Sequence, residues 1–190
     1  MRKIRCTFQA CAAFIVMAVL CVLGFAQERT VPRIAPTFSL TTIDGKRVDL
    51  SEQRGKVVLL DFWATWCVPC QTEVPRFVAF QNQFAKEGFQ VIGISMDDSP
   101  EPVKKFAAKL KVNYPIAMGT EEVAKSYGGV LGLPLTFLIG RAGTIVKQYD
   151  GNADLEAMER EIKDLLNQKA TPNSEFQPWS YPTEMCNLHH

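Results

Sequence analysis

The feature of this sequence that most constrains its fold is a run of apolar residues that ends just before a pair of cysteines. Residues 57–63 are apolar apart from Asp61, as expected for a central strand that is covered on both faces. Cys67 and Cys70 follow, at the start of a helix that we predict over residues 68–87. Unpaired N–H groups and the helix dipole favour negative charge at a helix N-terminus, so this turn is a place where a thiol becomes a reactive thiolate.

The rest of the chain predicts alternating strands and helices in one domain, residues 27–169. A β-hairpin is expected from residues 38–40 and 48–50, which alternate in polarity on either side of the two-residue turn signal Asp44-Gly45. We predict further strands over residues 89–95, 114–118, 135–139 and 144–149, and helices over residues 100–110, 121–127 and 153–168. This pattern predicts an α/β fold.

The segment around the cysteines, residues 57–70, resembles the active site of thioredoxin, and the order of elements is the thioredoxin order. The N-terminal hairpin and an extra helix and strand between the two halves are similar to extracytoplasmic thioredoxins of the TlpA/ResA type, which are AhpC/TSA-redoxin-like members of the thioredoxin superfamily. The resemblance covers residues 33–168. It implies a thioredoxin-like fold: a central mixed β-sheet flanked by helices, with an N-terminal β-hairpin and a central strand/helix insert.

The spacing of the two cysteines predicts a redox disulfide, Cys67–Cys70. Cys67 at the helix N-terminus is the candidate nucleophile, and Cys70 lies on the same helix face, where it can resolve a mixed disulfide formed at Cys67. A zinc site needs two more ligands, whereas the chain's only histidines are His189 and His190 and it has no second CxxC. We therefore expect no metal and no cofactor.

Two acids near the dithiol are candidate catalytic residues. Asp61 interrupts the apolar strand, where a buried carboxylate is costly. It matches the buried acid of thioredoxin, which implies a role in deprotonating the resolving cysteine. Glu73 lies one helical turn after Cys70 and matches the acid near the dithiol of ResA-type proteins, which often carry asparagine in place of Asp61. An ordinary exposed glutamate is the alternative for Glu73, and the division of labour between the two acids is open.

Three further residues are predicted to bind substrate. Leu133-Pro134 resembles the loop that carries the cis-proline facing the dithiol in thioredoxin folds, which implies a cis bond and a backbone available to an extended substrate. The alternative is an ordinary trans-proline at the entry to a strand. By the same resemblance, Trp66 contacts the substrate at the rim of the site, whereas Trp63 packs beneath it.

Residues 1–26 have the form of a secretory signal peptide. Basic residues precede a long uncharged apolar run, and Gly24 and Ala26 supply the small residues that a signal peptidase reads. The run is close to the ~20 residues that span a membrane, so retention as an N-terminal membrane anchor is the alternative. Either outcome predicts an extracytoplasmic protein, which is periplasmic, secreted or anchored to the membrane facing outward.

The exported part keeps three cysteines, too few for a disulfide framework. Two of them form the dithiol, and the third, Cys186, lies in residues 170–190, a Pro-rich stretch that we expect to be a flexible tail. We expect Cys186 to be a free thiol, with a metal site or a second redox site as the alternatives.

These patterns predict an extracytoplasmic thiol–disulfide oxidoreductase that reduces protein disulfides. The neutral residues Val68 and Pro69 between the thiols favour a reductant, since strong oxidants stabilise their reduced form. The resemblance implies exported disulfide-containing partners, such as apocytochrome c, and a membrane thiol-transfer protein as electron donor. The net charge of +1 gives no reason to expect nucleic acid.

Three alternatives remain at this stage. A peroxiredoxin-like peroxidase needs Pro-x3-Thr-x2-Cys around its reactive cysteine, and the corresponding positions here are Leu60 and Ala64. A disulfide isomerase needs a peptide-binding surface or a dimer. A non-enzymatic thiol-binding or metal-binding module would retain the dithiol without turnover.

Overall fold

The computed structural model describes residues 33–168. The predicted signal or anchor over residues 1–26, the predicted tail over residues 170–190 and Cys186 lie outside the described residues and stay predictions. None of the helices between residues 33 and 168 has the length and apolar character needed to cross a membrane.

The described chain alternates strands and helices in the predicted order. The elements are β1 (Ser39–Thr41), β2 (Arg47–Asp49), β3 (Val57–Trp63), α1 (Val68–Phe84), β4 (Phe89–Ser95), α2 (Pro100–Leu110), β5 (Ile116–Met118), α3 (Glu121–Ser126), β6 (Leu135–Ile139), β7 (Ile145–Asp150) and α4 (Leu155–Asn167). One turn of 3-10 helix, Ala85–Glu87, extends α1 to the predicted end of that helix.

Five of the strands form one mixed sheet in the order β5-β4-β3-β6-β7. β3 pairs with β4, and β4 with β5, in parallel, whereas β6 is antiparallel to both β3 and β7. The mixed sheet, its helices, the N-terminal hairpin and the β5–α3 insert confirm the predicted thioredoxin-like α/β fold.

Strand β3 lies at the centre of the sheet, and all of its residues are buried. Successive side chains of a strand point to opposite faces, so β3 contributes to two separate cores. On one face Val57, Leu59 and Trp63 pack with apolar residues of α1 and α4. On the other face the hairpin and α3 pack over the alternate residues Val58, Leu60 and Phe62. Asp61 falls on the face of α1, between Leu59 and Trp63.

The N-terminal hairpin forms as predicted, but its turn is longer than the two-residue turn that the sequence signal indicated. Thr42 donates its N–H to the Lys46 carbonyl at 2.7 Å, which leaves three residues, 43–45, in the loop. The Thr42 hydroxyl also bonds to Asp44, and Gly45 takes a positive φ of 82°. Side-chain bonds of Thr42 thus favour a type of turn that ends in a left-handed glycine.

The hairpin also attaches to the edge of the main sheet. The Ile43 N–H donates to the Ile116 carbonyl of β5 at 2.8 Å, and Thr42 forms an isolated antiparallel bridge with Ala117. The hairpin therefore covers part of the β5 edge.

Arg141 ties together the end of the sheet that is farthest along β3 from the cysteines. Its guanidinium donates to the carbonyls of Gly55 at 2.8 Å, Glu87 at 3.2 Å and Leu166 at 3.2 Å. Gly55 returns a bond from its N–H to the Arg141 carbonyl at 2.9 Å. One side chain thus joins the β6–β7 turn to the start of β3, the end of α1 and the end of α4.

We expect Arg141→Ala to lower the free energy of unfolding by about 1–3 kcal/mol, because three carbonyls lose a charged donor. Thiol–disulfide exchange should be unchanged, since Arg141 lies at the end of the sheet away from Cys67. Urea unfolding measures the stability, and Arg160→Ala, an exposed arginine on α4, is the control, with an expected change of less than about 0.5 kcal/mol. Equal effects of the two variants would contradict the prediction.

Candidate active site

The two cysteines lie at the junction of β3 and α1. Cys67 is the N-cap residue of α1, and its sulfur accepts the backbone N–H of Cys70 at 3.3 Å. Pro69 falls in the first helical turn, where its missing N–H leaves no helical bond unmade. The cysteines are joined by a disulfide with an S–S distance of 2.03 Å. The helix start therefore presents an N–H donor to the sulfur that would carry charge after reduction.

The two sulfurs differ in how they can be reached. Cys70 is 1% exposed and Cys67 is 5% exposed, but Cys67 stands between two apolar residues that are open to solvent. These are Trp66, 66% exposed, and Val68, 72% exposed. Trp63, by contrast, is fully buried. The residues beside Cys67 thus form an apolar rim on which a partner chain could rest.

The predicted substrate-binding loop lies at the same end of the sheet as the cysteines. The Leu133–Pro134 peptide bond is cis. Pro134 directly precedes β6, and the pairing of Leu135 with Phe62 places it level with the end of β3. The Pro134 carbonyl accepts the N–H of Gly151 at 3.0 Å.

Asp61 is buried beneath this end of the sheet. Its register partners are Gly93 on β4 and Thr136 on β6, and the Thr136 hydroxyl donates to its carboxyl at 2.9 Å. Burial raises the pKa of Asp61 to about 8, the Thr136 bond opposes that rise, and the charge of Glu73 adds to it. Asp61 can therefore exchange a proton near neutral pH.

Glu73 is also buried, so the alternative of an exposed glutamate is wrong. One carboxylate oxygen accepts the N–H of Ala153, just before α4, at 3.2 Å, and the other has no hydrogen-bond partner among the described residues. Burial raises the pKa of Glu73, and the Ala153 bond opposes the rise. Within residues 33–168 neither acid forms a salt bridge, so the two carboxyls share their low-dielectric surroundings without a cation.

Several groups around the acids were not predicted from the sequence. Thr136 and the Ala153 N–H are hydrogen-bond partners of the two acids. Burial raises the pKa of the Tyr114 hydroxyl, and the charge of nearby Asp61 adds to that rise. Gly93 leaves room for the Trp63 indole: a Cβ there would lie 3.0 Å from the indole nitrogen. No local motif marks these positions, although a glycine within an apolar strand signals a close approach by another group.

A metal ion in a protein is held by several His, Cys, Asp or Glu side chains. Among residues 33–168, no three side chains of His, Cys, Asp or Glu come together as a group that could hold a metal ion. The two histidines of the sequence fall outside these residues.

Fold and site together define a thioredoxin-like protein with a redox dithiol. Residues 31–148, more than half of the chain, match the AhpC/TSA family. The chain belongs to this family, and it is a thiol–disulfide oxidoreductase.

Relatives carry the same class of activity in their names. The thiol-disulfide oxidoreductase ResA of Bacillus subtilis (strain 168) is 32% identical over 162 residues, which cover 80% of this chain and 88% of the relative. The ResA of Bacillus thuringiensis subsp. konkukian (strain 97-27) is 30% identical over 176 residues, which cover 87% of this chain and 99% of the relative. These relatives confirm the resemblance to ResA-type proteins.

A solved structure gives the same result. The crystal structure of a putative thiol:disulfide interchange protein DsbE from Chlorobium tepidum is 36% identical with a TM-score of 0.67. The match covers 71% of this chain and 96% of that chain.

We expect Asp61→Asn to raise the free energy of unfolding of the oxidised protein at pH 8 by about 2–4 kcal/mol. Folded Asp61 keeps its proton up to a pKa of about 8, whereas the unfolded chain releases it near the ordinary value of 3.8. The folded state thus binds more protons between these values, and stability falls as pH rises through that window. Below about pH 4 the aspartate and asparagine variants should differ least.

Urea unfolding of the two proteins at acidic, neutral and mildly alkaline pH measures this difference. Asp98→Asn, which changes an exposed carboxylate, is the control and should leave the pH slope intact. An Asp61→Asn protein with the wild-type slope would contradict the assignment of that slope to Asp61.

Proposed function

We propose that this thiol–disulfide oxidoreductase works outside the cytoplasm, as a reductant of disulfides in exported proteins. The observation that carries the proposal is the contact between the Cys67 sulfur and the Cys70 N–H at the start of α1. This contact marks Cys67 as the sulfur that the helix N-terminus can stabilise as a thiolate, and hence as the nucleophile.

The proposed reaction has two exchange steps. The Cys67 thiolate attacks one sulfur of the substrate disulfide, the substrate S–S bond breaks, and the departing sulfur takes the electron pair and a proton. Cys70 then loses its proton and attacks the Cys67 sulfur of the mixed disulfide. The second substrate sulfur leaves, and the Cys67–Cys70 disulfide forms. The substrate gains two electrons and two protons, and the enzyme dithiol becomes oxidised.

Asp61 and Glu73 are the proposed proton handlers for Cys70. Cys70 is nearly fully buried, so bulk water has little access to its thiol proton. Asp61 with a pKa of about 8 is matched to a thiol, because a base works best when its pKa lies near the operating pH. Glu73 shares helix α1 with Cys70 and influences the charge of Asp61. We assign proton removal from Cys70 to Asp61 in its carboxylate form, and to Glu73 the part of raising the pKa of Asp61, which makes that carboxylate a stronger base.

Substrate binding is assigned to Trp66, Leu133 and Pro134. Trp66 is a large exposed aromatic side chain beside the nucleophile. The cis bond before Pro134 lies at the same end of the sheet, where an extended substrate can pair with the Leu133 backbone.

The direction of electron flow follows from the surroundings of the dithiol. Val68 and Pro69 bring no cation and no side-chain donor to the Cys67 sulfur. The nearby ionisable groups are acids, which oppose a thiolate when they are charged. A dithiol whose thiolate is not stabilised by neighbouring cations or side-chain donors is a good electron donor.

The location and the partners rest on the N-terminal sequence and on the likeness to ResA-type proteins. Residues 1–26 act as a signal peptide or a membrane anchor in this proposal. A membrane thiol-transfer protein recharges the dithiol, and exported proteins such as apocytochrome c receive the electrons.

We expect Cys67→Ser to abolish reduction of insulin disulfides, because it removes the attacking sulfur. Cys70→Ser should accumulate mixed disulfides at Cys67, since attack proceeds without resolution. Non-reducing electrophoresis and mass spectrometry of cell envelope extracts would identify the trapped partners. Trapping by Cys67→Ser in place of Cys70→Ser would reverse the assigned roles, and peroxide consumption faster than insulin reduction would favour a peroxidase.

Asp61→Asn should lower the apparent pKa of the Cys70 thiol, because it removes an acid whose charge opposes the thiolate. It should also slow exchange at neutral pH by about a hundredfold, the low end of the range for loss of a general base. Glu73→Gln should have a smaller effect and lower the pKa of Asp61, since it removes a neighbouring charge. Thiol alkylation across pH, read by mass spectrometry for each cysteine, measures the first quantity. Unchanged Cys70 alkylation in Asp61→Asn would remove Asp61 from proton handling.

A further inference from the structure

Asp97 holds the loop that carries the nucleophile from the neighbouring strand. β3 ends at Trp63 and β4 at Ser95, which are register partners, and the two chains then diverge. One carboxylate oxygen of Asp97 accepts the Thr65 N–H at 2.9 Å, and the other accepts the Thr65 hydroxyl. The first oxygen also accepts the Ser95 hydroxyl at 2.8 Å. A side chain thus continues the link between β3 and β4 where the backbone ladder stops.

Thr65 is held from the helix side as well. The Gln71 side-chain amide, on the first turns of α1, donates to the Thr65 carbonyl at 2.7 Å. All three polar groups of Thr65, its N–H, hydroxyl and carbonyl, are therefore bonded to side chains from two other elements. Two residues further on, the Cys67 N–H donates to the Ala64 carbonyl at 3.2 Å and closes the turn around Thr65 and Trp66.

We propose that Asp97 is a positioning residue for the dithiol: by fixing Thr65, it keeps the Cys67 sulfur within reach of Cys70 when the disulfide is open. The proposal rests on the two-step exchange described above. Asp97 touches neither sulfur and acts through Thr65 and the turn that ends at Cys67.

The resolving step is the one that depends most on this position. In that step the Cys70 sulfur bonds to the Cys67 sulfur, and the substrate sulfur leaves with the electron pair of the broken bond and takes a proton. The rate depends on the effective concentration of Cys70 at Cys67, which falls when the turn before Cys67 is free to move. The resolving step closes a ring through the Cys67–Cys70 disulfide, whereas the first attack on an external disulfide closes none. The first attack should therefore depend less on Asp97.

The negative charge of Asp97 is a second way in which this residue could act on Cys67. Two substitutions separate position from charge. Asp97→Asn removes the charge but keeps a carbonyl oxygen for the Thr65 N–H and the Ser95 hydroxyl, and its amide can donate to the Thr65 hydroxyl oxygen. Thr65→Val keeps the charge and the side-chain shape but removes one of the bonds.

The test uses full-length reduced protein and the probe dithiobis-nitrobenzoate, which releases one coloured thiolate on attack by Cys67 and a second on attack by Cys70. In stopped flow, Asp97→Ala should slow the second release about tenfold, the loss expected for one charge-assisted hydrogen bond, with less change in the first. Thr65→Val should slow the second release about threefold, and Asp97→Asn should stay within about twofold of wild type. Asp98→Ala, the exposed neighbour, is the matched control.

The weaker hold on the turn before Cys67 should also make the Cys67–Cys70 disulfide less stable at equilibrium. If ring closure becomes tenfold less favourable, the reduction potential of Asp97→Ala, measured against glutathione, rises by about 30 mV. A second release at the wild-type rate in both Asp97→Ala and Thr65→Val would overturn the proposal. An Asp97→Asn protein as slow as Asp97→Ala would also overturn it, because charge and not position would then be responsible. If Asp97→Ala fails to fold, Thr65→Val and Asp97→Asn decide the question.

The coloured-thiolate experiment distinguishes failure of the Asp97 role from failure of the two-step exchange. A wild-type protein that releases only one coloured thiolate has no resolving step, and the two-step exchange would be wrong. A wild type that releases both, with variants that resolve as fast, would leave the exchange intact and remove only the role of Asp97.

Discussion

Every residue of strand β3 is buried, and the strand has a hydrogen-bonded neighbour on each edge. Such a strand has little freedom to shift, because a one-residue change of register would move every side chain, that of Asp61 included, into the opposite core. The acid and the dithiol are both placed by this one strand: Asp61 lies within it and Cys67 follows four residues beyond its end. The chemistry of the site is therefore built on the most constrained part of the chain.

The burial that holds β3 in place also sets the behaviour of its acid. A carboxyl in this position is charged only at a cost, and the Thr136 hydroxyl offsets part of that cost. Glu73 adds a second buried carboxyl close enough to influence the first. The described surroundings bring no salt bridge to either acid, and the pKa of about 8 makes the charge of Asp61 depend on pH in the range where thiols exchange. Proton transfer and sulfur chemistry are thereby linked through the core.

The sequence predicted what local patterns can encode. The apolar run of β3, the helical spacing of α1 and the cysteine spacing each specify a position without reference to distant residues. The contacts that complete the site could not be read in this way, since they join Thr136 to Asp61 across 75 residues and Ala153 to Glu73 across 80. The hydrogen bonds between Asp97 and Thr65 join residues 32 positions apart. They can be predicted only when the parallel pairing of β3 with β4 is known.

The attachment of the β1–β2 hairpin to β5 has a consequence for how the molecule coexists with other chains. A β-sheet with an open edge can add strands from a neighbour and grow into aggregates. Here the bridge from Thr42 to Ala117 occupies part of one edge, and the other edge, β7, carries the polar side chains Lys147, Gln148 and Asp150. Pairing blocks part of one edge, and charged side chains make the other edge less favourable for pairing. A protein that acts on disulfide-bearing chains therefore offers little open backbone with which those chains could pair.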